Sequence, residues 1–196
     1  MKFIILSSSR GSTANAVLQQ IQEGNLDMEC LGLVTDSDDR GCVDVVRSAG
    51  FPIYRVDRTE GESREEYDKK LHEMIIEAGG NPEDTVISAL GWMFILSPWF
   101  VSQWKNRIIN VHPALLPAHP GAHGITDALV SGDEITGMTI HFIDEGVDTG
   151  PIILQKECAI LPGDDEEALK DRIQLLEREW YPKVLQQLET GEIPLP

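Results

Sequence analysis

Asn110 and His112 stand two residues apart at the end of the run Arg107–Ile109, and the chain continues Pro113-Ala114-Leu115-Leu116-Pro117. Side chains two apart on a strand point to the same face, so an amide and an imidazole converge on one spot. About thirty residues on, the strand-like run Met138–Ile143 leads into Asp144-Glu145-Gly146-Val147-Asp148-Thr149-Gly150-Pro151, which puts carboxylates on a turn. A neutral donor, a titratable imidazole and a carboxylate are the parts needed to stabilise an oxyanion and move a proton. Each alone has a plainer reading. Asparagine at a strand end forms turns, His-Pro ends an element, and Asp148 before Thr149-Gly150 suits an ordinary turn. Together at strand ends, Asn110, His112 and Asp148 point to an active site.

The elements that must position this trio follow from hydrophobic periodicity. Phe3–Leu6 reads as a short buried strand, and Gly11-Ser12 opens a helix that runs to about Glu23. Strands are expected at Leu31–Val34, Ile53–Val56 and Thr85–Leu90, with helices at Val43–Ala49 and Arg64–Ala78 between them. Such alternation implies right-handed crossovers and a parallel sheet. From Ile108 the pattern changes to a strand, a long ordered loop, a helix at Ile125–Ser131, and two strand runs, Met138–Ile143 and Ile152–Ile160. The short turn between those two suits antiparallel pairing. Glu166–Glu189 reads as one long helix with an acidic start that suits its dipole, and Pro182 is expected to kink or break it.

Composition bounds the function. A chain of 196 residues, 41% hydrophobic and 25% charged, fits one globular domain. We take its halves as about 1–100 and 101–196. The net charge of -17 disfavours nucleic acid and anionic membranes as partners. Cys30, Cys42 and Cys158 lack metal-type or disulfide-type spacing, and the N-terminal apolar run is too short for a signal peptide. A reduced, cytoplasmic protein is expected.

Two further segments suit ligands. Arg10-Gly11-Ser12-Thr13-Ala14 lacks the spacing of a dinucleotide fingerprint and no P-loop lysine follows it. It either presents backbone N–H groups to one phosphate or simply starts a helix. Leu90-Gly91-Trp92-Met93-Phe94-Ile95-Leu96-Ser97-Pro98 follows the fourth strand, where ligands bind in open α/β sheets. An apolar, aromatic loop there suits a flat heteroaromatic ligand, or else packs over the sheet.

These segments, in this order, resemble the glycinamide ribonucleotide transformylase family of purine biosynthesis. The likeness runs through Ser9–Ser12, Ser63–Asp68, Gly91–Pro98, Asn110–Pro117, Pro120-Gly121-Ala122-His123, Asp144–Pro151 and Glu177 with Tyr181-Pro182. It implies a Rossmann-like formyltransferase fold, parallel in the N-terminal half with antiparallel strands near the C-terminal half. It also implies transfer of a formyl group from 10-formyltetrahydrofolate to the amine of 5'-phosphoribosylglycinamide, without metal. On the matching positions, Asn110 would donate to the developing oxyanion and His112 would transfer the proton. Asp148 would hold His112 and raise its proton affinity. Gly11, Ser12, Thr13, Ala14 and Asn15 would surround the substrate phosphate, and Glu177 would contact the rest of that substrate. Arg64, Met93, Phe94, Ile95, Leu96, Asn110, Asp144, Glu145, Gly146, Val147 and Asp148 would line the folate site. Partners would be small molecules, and the protein a monomer or homodimer. The chain departs from the family at Thr13-Ala14, where Asn-Leu is usual, and at Phe94, where many members carry arginine. Formylation of a sugar nucleotide, hydrolysis of 10-formyltetrahydrofolate and a non-catalytic folate- or nucleotide-binding module are the alternatives.

Overall fold

The strand β1 (Lys2–Leu6) shows how the sheet is covered. Phe3 and Ile5 point into one apolar core and Ile4 and Leu6 into another, all four fully buried. A strand buried on both faces reads as continuous hydrophobicity, the mark of a central parallel strand. A computed structural model of the protein describes residues 1–196. Its elements run β1, α1 (Ser12–Gln22), β2 (Glu29–Thr35), α2 (Gly41–Ser48), β3 (Ile53–Arg55), α3 (Arg64–Glu77), β4 (Thr85–Ala89), α4 (Pro98–Gln103), β5 (Ile108–His112), α5 (Gly124–Ser131), β6 (Ile135–Phe142), β7 (Ile152–Ala159) and α6 (Glu166–Glu189).

The seven strands form one sheet in the order β3-β2-β1-β4-β5-β6-β7. Pairs from β3 to β5 are parallel, whereas β5–β6 and β6–β7 are antiparallel. Helices α1, α2 and α6 cover one face, and α3 and α4 the other. Strand order reverses between β1 and β4, which opens a crevice at their carboxyl ends. The loops leaving those strands are tied across it. Ser7 Oγ donates to the Leu90 carbonyl at 2.6 Å, and Ser9 Oγ to the same oxygen at 3.2 Å. Gly11, at φ 84, turns the chain into α1 where a Cβ would lie 2.7 Å from Cys42 Cα, so only glycine fits.

One sequence expectation needs correction, and one element was not foreseen. Pro182 neither ends nor breaks α6, which continues for 24 residues. The proline ring removes one ladder hydrogen bond. Tyr181, Val184, Leu185 and Leu188 keep their places in the core on either side and hold the segment helical. The chain after Ser97, for which the sequence suggested no element, forms a short helix: Ser97 caps α4 by accepting from Phe100 N–H, and Pro98 occupies its first turn. No helix is long and apolar enough to cross a membrane.

Candidate active site

Strand β5 places Asn110 and His112 on the same face, as their spacing requires, and β6 runs antiparallel beside it with Asn110 opposite His141 and His112 opposite Thr139. Thr139 Oγ1 donates to the Ala114 carbonyl at 2.7 Å and accepts from Leu116 N–H at 3.0 Å, which fixes the loop after His112. The turn after β6 is pinned by Asp144, whose Oδ1 accepts from Thr149 Oγ1 at 2.7 Å and from Gly146 N–H at 3.0 Å. That turn holds Asp148 at φ 54, a left-handed conformation that aspartate tolerates better than most residues. Its carboxylate Oδ2 thereby accepts from Gly121 N–H at 2.7 Å and lies 3.2 Å from His112 Nδ1.

His141 completes the group. Its side chain is 1% exposed, with Nε2 3.2 Å from Asn110 Nδ2 and 3.5 Å from Asp148 Oδ1. Nδ1 lies 2.9 Å from the Phe142 carbonyl, so that nitrogen carries a proton and donates it. The Asn110 NH₂ group faces Nε2 with one of its two N–H bonds, which leaves the second for a ligand. Sequence reasoning missed His141. The available signal was a histidine inside the apolar run Met138–Ile143.

His112 is acceptor-bound on both sides, since Nε2 lies 2.7 Å from the His119 carbonyl as well. Those two acceptors favour an imidazolium. Burial opposes them and leaves the His112 proton affinity below the ordinary histidine range, with the Asp148 charge and the His119 carbonyl pulling it back up. Asp148 does raise the affinity as expected, but the net shift is downward because desolvation is larger. For Asp148 itself burial raises the value, and its contacts with His141, Gly121 N–H and His112 outweigh that and hold it low. Gly124 packs under the ring: a Cβ there would lie 3.0 Å from His112 Nε2.

The group forms the floor of a cavity of ≈ 760 Å³. One arm is apolar, walled by Leu90 to Leu96 with Ile143 and Val147, and the side chains of Met93 and Ile95 are 67% and 56% exposed at its rim. Such a slot fits a flat ring system. The other arm runs from Ser9 through Ala14 to Glu166, Lys170, Gln174 and Glu177 on α6. Of the residues expected at the site, Ser12, Thr13, Ala14, Glu177, Met93, Phe94, Ile95, Leu96, Asn110, His112, Asp144, Gly146, Val147 and Asp148 line the cavity. Gly11, Asn15, Arg64 and Glu145 stand outside its wall: Gly11 is buried against Cys42, and Asn15, Arg64 and Glu145 face solvent. At Phe94, the Arg58 guanidinium sits over the ring, 5.5 Å from its centroid. The structure has no group of three or more His, Cys, Asp or Glu side chains arranged to hold a metal ion.

Glu177 is the second titratable group of note. It is 9% exposed and accepts from Thr13 Oγ1 at 2.9 Å. Burial pushes its carboxyl up to about 7 against that hydrogen bond. A carboxyl whose folded value is raised binds more protons folded than unfolded, so stability falls as pH rises from 4.5 to about 7. Above that window the ionised group costs on the order of 3 kcal/mol. Glu177→Gln keeps an acceptor for Thr13 without the charge. Its thermal midpoint should exceed that of the unchanged protein at about pH 8, with the gap closing by about pH 4 to 5. A gap that stays constant across that range would show that Glu177 ionisation is not what the fold resists.

An open α/β sheet with an acid–base group at the end of β5 and the turn after β6, between two ligand arms, is the build of a group-transfer enzyme that holds donor and acceptor side by side. Residues 1–185 match the formyl transferase family, and the protein belongs to that family. Its chain is 37% identical over 177 residues to the phosphoribosylglycinamide formyltransferase of Mycobacterium tuberculosis, covering 90% of this chain and 80% of that one. It is 37% identical over 191 residues to the trifunctional purine biosynthetic protein adenosine-3 of Drosophila pseudoobscura pseudoobscura, covering 96% of this chain and 14% of that protein. The crystal structure of glycinamide ribonucleotide transformylase 1 from Symbiobacterium toebii superimposes with a TM-score of 0.92 at 31% identity, covering 97% of this chain and 88% of that one.

Proposed function

We propose that the protein transfers the formyl group of 10-formyltetrahydrofolate to the amine of 5'-phosphoribosylglycinamide in de novo purine biosynthesis. The observation that carries this reading is the linked set Asn110, His141, Asp148 and His112 at the floor between the two cavity arms. The apolar arm, with Met93 to Leu96 and the Asp144–Asp148 turn, takes the pterin ring. The second arm takes the acceptor, its phosphate toward the start of α1 and the remainder beside Glu177. The N-terminal half of the chain thus serves the phosphate, and the C-terminal half supplies the catalytic group.

The chemistry is a balanced exchange. The acceptor amine bonds to the formyl carbon, and the carbonyl electrons move onto oxygen. The free N–H of Asn110 and the positive charge of protonated His112 stabilise that oxyanion. Collapse breaks the bond from carbon to N10 of the folate. The amine's surplus proton passes to N10 through the His112–Asp148 pair, so no net proton is gained or lost.

An assay offering 10-formyltetrahydrofolate with phosphoribosylglycinamide, a UDP-amino sugar, charged tRNA or water tests the reading. Formylation of phosphoribosylglycinamide should exceed the others. Equal or better turnover on any of them would overturn it.

A further inference from the structure

The acceptor at His112 Nε2 is the main-chain carbonyl of His119, so the loop after β5 must hold that carbonyl still. Most of the loop is tied by its main chain. Leu116 N–H donates to Thr139 Oγ1, Gln155 Nε2 donates to the Leu116 carbonyl at 2.8 Å, and Gly121 N–H donates to Asp148. His119 has no such tie. Its N–H makes no hydrogen bond within the chain, and Pro120 after it has no N–H to give. Its backbone sits at φ 53, a left-handed conformation that persists in a residue other than glycine where its surroundings fix it.

The fixing contact comes from the ring. His119 Nε2 lies 2.6 Å from Asp133 Oδ2, a charge-assisted contact. Asp133 stands just past Gly132, the left-handed cap of α5, and its N–H reaches Ser131 Oγ at 3.4 Å. Hydrogen bonds to His119 and Ser131 hold the Asp133 carboxyl below the usual carboxylate range. Helix α5 is itself anchored, with Ala128 fully buried and Thr126 Oγ1 donating to Glu166 on α6 at 3.1 Å. At its other end, Gly124 lets the helix start lie against both partners of the contact. A Cβ there would meet His112 Nε2 at 3.0 Å and the His119 carbonyl at 3.1 Å. A packed path thus runs from α5 through Asp133 and the His119 ring to the carbonyl behind His112.

We propose that His119 is a positioning residue: its ring, held by Asp133, locks the carbonyl that orients the His112 imidazole. The step that His112 serves rests on the formyl-transfer reading above. The orientation of its ring does not.

The proton affinity of His112 reports where that carbonyl is. Burial lowers it, the Asp148 charge and then the His119 carbonyl raise it, and the charges of His141 and His119 lower it by less. His119→Phe keeps a ring and removes the donor, Asp133→Ala removes the acceptor, and His119→Gln keeps an N–H for Asp133. With the carbonyl released, NMR titration of His112 without substrate should move to lower pH in the first two variants. A ring that acted only through its own charge would instead move that titration to higher pH in His119→Phe. In formyl transfer, His119→Phe and Asp133→Ala should each lower kcat about tenfold, the loss of one charge-assisted hydrogen bond. KM for either substrate should hardly change, and the alkaline limb of kcat should follow the NMR titration. His119→Gln should recover most of the loss, and the double variant His119→Phe with Asp133→Ala should lose no more than either single one. A His112 titration that stays in place or rises in His119→Phe, or an unchanged kcat, would overturn the proposal while leaving formyl transfer standing. If the unchanged protein formylates no acceptor while the His119→Phe titration still moves downward, the formyl-transfer reading fails and the positioning of His112 holds.

Discussion

Asn110→Ala is expected to lower turnover about a hundredfold or more, with only a modest change in the affinity for either substrate. The reason is geometric. One amide N–H of Asn110 faces His141 Nε2, which leaves the other free to meet the oxygen on which negative charge develops. A donor that meets only the oxyanion contributes to the transition state and little to the ground state, so its loss falls on kcat rather than KM. Because Asn110, His112 and Asp148 act as a unit, Asn110→Ala combined with His112→Ala should cost much less than the product of the single effects. Steady-state kinetics of the two single variants and the double variant decide the matter, with circular dichroism confirming the fold. Near-normal turnover in folded Asn110→Ala would make the amide a structural partner of His141 and remove it from the mechanism.

How much of this was legible in the sequence depends on how local each feature is. The alternation of strand and helix through Ala89 was readable because buried parallel strands appear as short continuous apolar runs, such as Phe3–Leu6. The antiparallel pairing of β6 with β7 was readable from the short turn between them. That β6 also pairs antiparallel with β5 was not, because about twenty residues and a helix separate those strands. His141 was hidden for the same reason: it matters only because the register sets it opposite Asn110. The six-residue helix α4 is too short for periodicity to reveal, although Ser97-Pro98 carried its start signal. Pro182 does not break α6, because propensity is local whereas the helix is held by tertiary packing. Among the expected ligand contacts, positions on the Trp92–Leu96 loop and the Asp144–Asp148 turn reach the cavity because whole segments face it. Gly11, Asn15, Arg64 and Glu145 lie within or beside such segments but are not part of the cavity lining, a distinction that needs the folded backbone. The raised carboxyl of Glu177 depends on burial among residues far from it in sequence.

Asp148→Asn probes the other half of the catalytic group. Asparagine has nearly the same shape, tolerates the left-handed backbone at φ 54, and retains an oxygen to accept from Gly121 N–H. What it removes is the negative charge 3.2 Å from His112 Nδ1. In the unchanged protein, burial pulls the His112 proton affinity down and Asp148 pulls it up. With the charge gone, only the His119 carbonyl opposes burial, so the affinity drops further below the ordinary 6.5. A step that needs the imidazolium is supported at pH below this value and lost as pH rises through it. The alkaline limb of kcat assigned to His112 should therefore move to lower pH, and the maximal rate should fall about tenfold to a hundredfold because less charge faces the oxyanion. Titration of the His112 ring protons by NMR should show the same downward displacement without substrate. An NMR titration that moves while the kcat profile stays fixed would mean that another group sets the limb. A limb that stays in place in both measurements would mean that Asp148 positions its neighbours without tuning the proton they carry.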